Sequence, residues 1–170
     1  MGKKSPFPAR LVQPPIPGVY SDHNFGEVGL PTFTEPASAT AATEFFGGAA
    51  RLTPCQVLSD TRGSLLPFPF ESMPFLPARV FAVTHVPAGM VRGGHAHLRG
   101  YQWLVCLNGS IEILMRCHGE EVTLLLDPVR FGLLLGPGVW CQQKYLDEGS
   151  VLLVFASESY DPATYIEQWT

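Results

Sequence analysis

Two histidines separated by a single residue are the part of the sequence best suited to chemistry. His95 and His97 close the run Arg92-Gly93-Gly94-His95-Ala96-His97. Residues two apart on a strand share a face, and in a small barrel that face is packed core or lines a ligand cavity. Imidazole accepts and donates protons near neutral pH, so the pair indicates general acid–base chemistry. The alternative is two idle histidines on the solvated face of a strand.

The elements that must position this pair are short β-strands. From Cys55 onward, runs rich in apolar, β-branched and aromatic residues alternate with Gly, Pro and Asn. This pattern predicts strands over 79–86, 102–107, 110–116, 121–126, 132–135 and 151–156. Many short strands with almost no helix are typical of an antiparallel sandwich or barrel, so the fold class is expected to be all-β.

Three local signals predict how these strands are connected. Asn108-Gly109 is typical of a two-residue hairpin turn, and His118-Gly119 indicates a second turn. Asp161 followed by Pro162 resembles a helix start, with Asp as the cap and Pro in the first turn. We therefore expect a short C-terminal helix over 163–169.

Proline divides the chain into two parts. Residues 1–54 hold eight of the 16 prolines and show no lasting helical or alternating period. We predict an extended N-terminal arm over 1–54 and a single domain over 55–170. Either the arm is a disordered tail, or it packs on its own or a partner subunit. The aromatic residues available for such packing are Phe25, Phe33, Phe45 and Phe46.

Composition excludes several classes of protein. The 170 residues are 46% hydrophobic and carry a net charge of −4, which supports a buried core and argues against a nucleic-acid partner. No apolar run approaches the roughly 18 residues of a membrane span, and prolines follow Lys3 and Lys4 where a signal peptide would be apolar. The four cysteines contain no C-x-x-C pair. We expect a cytoplasmic protein without a membrane partner.

Spacing around the histidines resembles the first motif of the cupins. Gly89, His95, His97, Gln102 and Gly109 stand in its register, with Gln102 where cupins usually carry Glu. The second motif is recognisable in the run 136–140 (G-P-G-V-W), but its histidine is absent. The resemblance implies a cupin barrel, a double-stranded β-helix of the jelly-roll type.

Further blocks narrow this resemblance to the nucleotide-sugar 3,4-ketoisomerases, the WxcM-like cupins that isomerise dTDP-4-keto-6-deoxyglucose. The blocks are D-T-R-G-S-L at 60–65, P-A-R-V at 77–80, R-G-G-H-A-H at 92–97, C-L-N-G-S at 106–110, G-P-G-V-W at 136–140, and A-S-E-S-Y-D at 156–161 before Tyr165-Ile166. The resemblance implies a homodimer that exchanges strands and uses no metal or other cofactor. It implies movement of a carbonyl from C4 to C3 through an enediol-like intermediate, with His95 as principal base and His97 beside it.

The resemblance and the strand positions together predict a set of substrate-binding residues. These are Arg79, Phe81, His85, Arg92, Arg99, Gln102, Leu134, Trp140 and Cys141. Several positions depart from the family pattern. Phe81 and Leu134 replace tyrosines, Cys141 replaces the second-motif histidine, and Leu98 replaces a lysine. Because each change removes a polar group, we expect a drier pocket than a nucleotide sugar needs.

Three functions are compatible with these residues. The first is a sugar-nucleotide 3,4-ketoisomerase, and the second is the same scaffold acting as a cyclase, isomerase or dehydratase on a less polar metabolite. The third is a non-catalytic sugar-binding or assembly cupin, which retention of the R-G-x-H-A-H block disfavours. A zinc site of two His and Cys141 is a further alternative to the metal-free reading.

Overall fold

The computed structural model of the chain describes residues 42–167. Most of the arm predicted over 1–54, including Phe25 and Phe33, lies outside the described residues. Within 42–167, no helix is long and apolar enough to cross a membrane.

Thirteen strands make up nearly all of the regular structure of residues 42–167. In chain order they are β1 (Thr43–Phe45), β2 (Ala50–Pro54), β3 (Leu58–Asp60), β4 (Gly63–Leu65), β5 (Arg79–Val83), β6 (Val91–His97), β7 (Gln102–Asn108), β8 (Ile111–Cys117), β9 (Glu120–Leu126), β10 (Phe131–Leu135), β11 (Trp140–Tyr145), β12 (Val151–Ala156) and β13 (Tyr165–Ile166). Three short 3₁₀ turns cover Phe46–Gly48, Phe70–Ser72 and Pro162–Thr164.

The strands form two antiparallel sheets and a separate hairpin. The larger sheet has six strands in the order β1-β2-β10-β7-β12-β5, and the smaller has five in the order β13-β6-β11-β8-β9. Strands β3 and β4 pair only with each other. This two-sheet arrangement confirms the all-β fold expected from the spacing of apolar runs.

Alternating residues of both sheets build the core between them. In β8, Ile111, Ile113 and Met115 have no exposed surface, while the residues between them are partly exposed. Leu104 and Leu152 supply the facing layer from the larger sheet. Burying a side chain of this size stabilises the fold by about 1.5–3 kcal/mol, so this face fixes the strand registers.

The turn at Asn108-Gly109 does not make a hairpin. Strand β7 lies between β10 and β12 in the larger sheet, whereas β8 pairs with β9 and β11 in the smaller one. The turn therefore carries the chain from one sheet to the other, and Gly109 (φ +70°) lies against Ser150 on the neighbouring connection. The turn predicted at His118-Gly119 is confirmed as the β8–β9 hairpin.

The expected C-terminal helix is wrong. Asp161 does act as a cap, accepting a hydrogen bond from the Ala163 N–H across 3.0 Å, and Pro162 stands in the first turn. However, the turn ends at Thr164 and the chain continues as β13, which pairs with β6. Pairing with an open strand edge satisfies the backbone polar groups that a second helical turn would otherwise bond. Residues 168–170 lie outside the described range.

The described end of the predicted arm belongs to the larger sheet. Strand β2 pairs along its whole length with β10, and β1 pairs with β2. Phe45 and Phe46 are partly buried against the core of the same chain. Among the described residues, the first strand of this sheet starts at Thr43, twelve residues before the boundary drawn at residue 55.

Candidate active site

A bulge in β6 presents the two histidines to the barrel interior. Cys141 of β11 lies opposite His95, but the next residue, Gln142, lies opposite Gly93, so β6 carries one extra residue here. Gly93 has φ +74°, and a Cβ at this position would lie 2.8 Å from the Cys141 carbonyl oxygen. Only glycine combines that conformation with that approach, which explains its place just before the histidines.

The rings of His95 and His97 come together on the inner face, as the i, i+2 spacing predicts. Their centroids are 5.1 Å apart at 77°, and both side chains are partly buried. A small cavity of about 20 Å³, partly open to solvent, lies beside them and is lined also by Gln102, Cys141 and Gln143. A cavity of this size holds about one water molecule, so a sugar ring has to bind at its open side.

His97 is held as a neutral imidazole. The side-chain Nε2 of Gln102 lies 2.8 Å from Nε2 of His97, so the amide N–H donates to an unprotonated ring nitrogen. Burial, together with the smaller effects of His95 and Arg79, lowers the pKa of His97 to about 4. At neutral pH, His97 therefore carries its proton on Nδ1 and no net charge.

His95 is also neutral at pH 7, but its surroundings have opposing effects on its pKa. Burial lowers its pKa, while a hydrogen bond with the Gly93 backbone and the negative charge of Glu167 act in the opposite direction. The ring is therefore in the form that accepts a proton, and a nearby carboxylate supports the charge that proton transfer creates.

Tyr165 is a site residue that the sequence analysis missed. Its ring stacks on His95 with centroids 4.2 Å apart and an interplanar angle of 7°, and meets His97 edge-on at 4.8 Å. The sequence analysis assigns Tyr165 to the predicted C-terminal helix, which the structure does not contain. The available signal is an aromatic residue followed by a β-branched one after a capped turn, a pattern that also fits a short strand.

Arg79 lies between two aromatic rings at the edge of this site. Its guanidinium carbon is 5.0 Å from the centroid of Phe81 and 5.3 Å from that of Tyr160. Its Nε is buried and has no hydrogen-bond partner among the described residues. Both rings are exposed, Phe81 at 36% and Tyr160 at 64%. The cation is thus placed next to the imidazoles on a surface that a ligand can reach.

Cys141 lines the cavity as an inert thiol. It is 4% exposed, burial raises its pKa to about 12, and its Sγ accepts a hydrogen bond from Gln143 across 3.4 Å. A protonated thiol is a poor nucleophile and a poor metal ligand. Among residues 42–167, no three His, Cys, Asp or Glu side chains are grouped closely enough to hold a metal ion. These donors do not fit the zinc alternative.

Three predicted substrate-binding residues lie away from the histidines. Leu134 is on the outer face of the larger sheet, opposite Trp103, where it lines a separate cavity of about 390 Å³. Trp140 points to the outer side of the smaller sheet, and its Nε1 donates to the Glu167 carbonyl across 3.4 Å. His85 lies beyond the end of β5, exposed and with φ +57°.

The two predicted arginines of β6 and its following turn have different surroundings. Arg92 lies opposite Gln143, which lines the histidine cavity, and its charge acts on Tyr145. Arg99 forms a 3.0 Å ion pair with Asp161, the cap of the last 3₁₀ turn. Arg92 therefore remains next to the site, whereas Arg99 helps to hold the C-terminal segment.

The substitutions noted in the sequence do not form one apolar pocket. Cys141 lines the histidine cavity and Phe81 lies against Arg79, but Leu134 is on the outer face of the larger sheet and Leu98 is 61% exposed. The expectation of a dry pocket requires all four of these apolar substitutions to line one pocket, and they do not. Near the imidazoles, Gln102, Gln143 and Arg79 keep the surface polar.

Comparison with known proteins connects this site to sugar-nucleotide isomerases. Residues 49–170 match the family described as FdtA, WxcM-like, C-terminal. The TDP-4-oxo-6-deoxy-alpha-D-glucose-3,4-oxoisomerase of Aneurinibacillus thermoaerophilus is 35% identical over 111 residues, covering 65% of this chain and 80% of that protein.

Solved structures show the same likeness. The sugar 3,4-ketoisomerase QdtA of Thermoanaerobacterium thermosaccharolyticum, crystallised with TDP, has a TM-score of 0.68 and 37% identity over 71% of this chain and 89% of that one. The WlaRB TDP-quinovose 3,4-ketoisomerase of Campylobacter jejuni has a TM-score of 0.66 and 30% identity, covering 70% and 92%. The RmlC epimerase of Mycobacterium tuberculosis, at 18% identity and TM-score 0.64 over 74% and 72%, shares the fold.

Proposed function

The chain belongs to the WxcM-like, C-terminal family, and on that premise we propose that it is a sugar-nucleotide 3,4-ketoisomerase acting on TDP-4-keto-6-deoxyglucose or a close analogue. The observation that carries the proposal is the pair of neutral imidazoles, His95 and His97, on one inner face beside a reachable cation, Arg79. Relatives at 35% and 37% identity are named for this reaction.

The reaction needs two proton shifts and no redox partner. His95 takes the proton from C3, the C3–H electron pair forms the C3–C4 double bond, and the carbonyl electrons move to the C4 oxygen. The proton of the C3 hydroxyl then passes to the C4 oxygen, so the negative charge now lies on the C3 oxygen. A lone pair of the C3 oxygen forms the new C3 carbonyl, and the electrons of the C3–C4 double bond take a proton from the His95 imidazolium at C4. His95 ends as it began, so one residue serves as base and then as acid.

His97 and Gln102 are placed to orient the oxygens rather than to accept the carbon-bound proton. With its Nε2 occupied by the Gln102 amide, His97 presents an N–H donor from Nδ1. Such a donor stabilises negative charge that develops on the C3 and C4 oxygens. The low pKa of His97 keeps it a neutral donor throughout the reaction.

Arg79 is suited to the anionic part of the substrate. Among the described residues it forms no ion pair with a carboxylate, and its Nε has no partner. A guanidinium binds phosphate oxygens with two parallel hydrogen bonds, and the exposed rings of Phe81 and Tyr160 offer apolar surface beside it. A nucleoside diphosphate bound here leaves the sugar facing the histidines.

Incubation of the purified protein with TDP-4-keto-6-deoxyglucose, followed by carbon NMR, tests this function. We expect the carbonyl signal of C4 to be replaced by one at C3. Recovery of unchanged substrate at high enzyme concentration would contradict the proposal and favour the alternative, a cyclase, isomerase or dehydratase for a less polar metabolite.

We also propose that two copies associate through β5. This strand is an edge of the larger sheet, and Val80, on the face opposite to Phe81, is 48% exposed. An open edge with apolar side chains is a ready surface for pairing with a second chain. The expected mass by sedimentation at micromolar concentration is that of a dimer, and Val80→Lys should shift it to a monomer. Leu125→Lys, at an equally exposed position on β9, is the control. A monomeric native protein would refute this contact.

We further expect the enzyme to work in the cytoplasm. Its four cysteines are all unpaired, and burial raises the thiol pKa of each of them, Cys55, Cys106, Cys117 and Cys141. Proteins that use cysteine in this way are typical of reducing compartments. Fractionation of cells that produce the protein tests the expectation.

A further inference from the structure

The C-terminal strand is fastened to the strand that carries the histidines. Tyr165 lies opposite His97, Ile166 lies opposite Ala96, and the Leu98 N–H donates to the Thr164 carbonyl across 2.8 Å. A two-residue strand holds its place only through its surroundings. These include the Trp140 hydrogen bond to the Glu167 carbonyl and the Arg99–Asp161 ion pair at the preceding turn.

The fastened strand sets the ring of Tyr165 flat against His95. The stacking distance of 4.2 Å and the angle of 7° cover one face of the imidazole, while the edge of His97 limits its rotation. The lone pair that accepts a proton lies in the plane of the imidazole ring, so contact with its face leaves that nitrogen open. The stack therefore restrains the base without blocking it.

We propose that Tyr165 is a positioning residue for the base: its ring, and not its hydroxyl, holds the imidazole of His95 in the orientation for proton transfer and keeps water from one face. The catalytic part of this inference rests on the proposed function. The stacking of Tyr165 on His95 does not rest on it, because it is a contact within the protein. Misplacing a reacting group by 1 Å can lower the rate on the order of 10²-fold, so a contact that fixes the base supports catalysis.

Several charged or titratable groups face His95 and bear on how it titrates. His97 lies beside it on β6, the Cys141 thiol lies opposite on β11, and Tyr165 and Glu167 approach from the C-terminal segment. Arg79 of β5 lies beyond His97. Burial has the largest effect on the pKa of His95, and the Tyr165 ring supplies part of that burial. Removal of the ring should therefore raise the pKa towards its ordinary value of about 6.5.

Three variants of the full chain separate the ring from the hydroxyl and from the docking of the strand. Tyr165→Leu removes the ring, Tyr165→Phe keeps the ring without the hydroxyl, and Ile166→Ala shortens the neighbouring side chain, which points to the other face of β13. For each, NMR titration of the His95 imidazole gives its pKa without substrate, and turnover of TDP-4-keto-6-deoxyglucose gives kcat and KM. Circular dichroism checks that each variant is folded.

We expect Tyr165→Leu to raise the pKa of His95 and to lower kcat on the order of 10-fold or more with little change in KM. Tyr165→Phe and Ile166→Ala should keep the native pKa of His95 and a kcat within about threefold of native, because both preserve the stack. Equal losses of kcat in Tyr165→Phe and Tyr165→Leu would overturn the proposal by showing that the hydroxyl acts. An unchanged His95 titration in folded Tyr165→Leu would also overturn it. If neither the native protein nor any variant turns over the sugar, the proposed function fails, but the NMR titration of His95 still shows whether the Tyr165 ring affects the imidazole.

Discussion

The side-chain amide of Gln102 donates to Nε2 of His97 across 2.8 Å, and this bond gives the two histidines of β6 different hydrogen-bond surroundings. His97 cannot take a second proton at Nε2 while it accepts that hydrogen bond. His95 instead has a hydrogen bond with the Gly93 backbone and the negative Glu167 nearby, and both act to raise its pKa. This difference supports the proposal that His95 accepts the carbon-bound proton and that His97 remains a neutral donor.

Gln102→Glu should reverse this arrangement. A carboxylate 2.8 Å from His97 favours the imidazolium, so the pKa of His97 should rise from about 4 by more than one unit. Activity should fall at pH values below the raised pKa, because a charged His97 opposes the formation of an imidazolium at His95. NMR titration of His97 is the measurement. The control is Gln142→Glu, which adds the same charge on the opposite face of β11 and should leave the pKa of His97 unchanged. If the pKa of His97 did not rise in Gln102→Glu, the role of this hydrogen bond would be disproved.

Stability should fall as the pH drops from about 6.5 towards 4, because of His97. Its pKa is about 4 in the folded protein and about 6.5 when unfolded, so the unfolded chain binds more protons in this window. The contribution of His97 to the free energy of unfolding is complete above about 6.5 and is lost as the pH approaches 4. Urea unfolding at several pH values measures this slope.

The matched variants for that slope are His97→Asn and His118→Asn. His97→Asn should flatten the slope, and His118→Asn should keep it, because His118 is an exposed residue in the β8–β9 turn whose φ of +49° suits Asn. Equal slopes in native protein and His97→Asn would show that the group responsible is another one.

Gly93→Ala should destabilise the fold more than the same change at Gly119. Both glycines have positive φ, +74° and +83°, so both variants carry backbone strain of about 1–3 kcal/mol. Only at Gly93 does the added Cβ also meet backbone, at 2.8 Å from the Cys141 carbonyl oxygen, while the space at Gly119 is open. Chemical denaturation of the two variants measures the difference. Equal losses would show that the bulge in β6 tolerates a side chain.

His95→Asn should lower kcat by on the order of 10²-fold or more, the usual contribution of a positioned acid or base. His85→Asn is the control, since His85 is exposed beyond β5 and its φ of +57° accepts Asn without strain. It should keep native activity. If His85→Asn lowered kcat as much as His95→Asn, His85 would have to be counted among the active-site residues after all.

The sequence was informative where the outcome depends on neighbours along the chain. The i, i+2 spacing of His95 and His97 determines that they share a face, and the glycines before them permit the backbone bend that the structure shows as a bulge. The two-residue signal at His118-Gly119 identifies a hairpin because both partner strands follow directly. The family resemblance then selects the inner face as the site.

Other features depend on which distant strand pairs with which. Asn108-Gly109 has the same local signal as His118-Gly119, yet β7 and β8 find partners in different sheets. The run Leu133–Leu135 is apolar throughout, so it gives no sign that Leu134 faces outward while its neighbours are buried. Tyr165 reaches His95 only because β13 adds to the edge of β6, which a local helix signal at Asp161-Pro162 hides.

Turnover of TDP-4-keto-6-deoxyglucose in D₂O tests the central claim most directly, with proton NMR used to follow the positions C3 and C4. The account predicts a 3-keto product for the native enzyme, with deuterium at C4 only to the extent that the proton on the His95 imidazolium exchanges with solvent before it is returned, and formation of that product slowed on the order of 10²-fold or more in His95→Asn. No 3-keto product from the native enzyme, or undiminished formation of it by His95→Asn, would contradict the account.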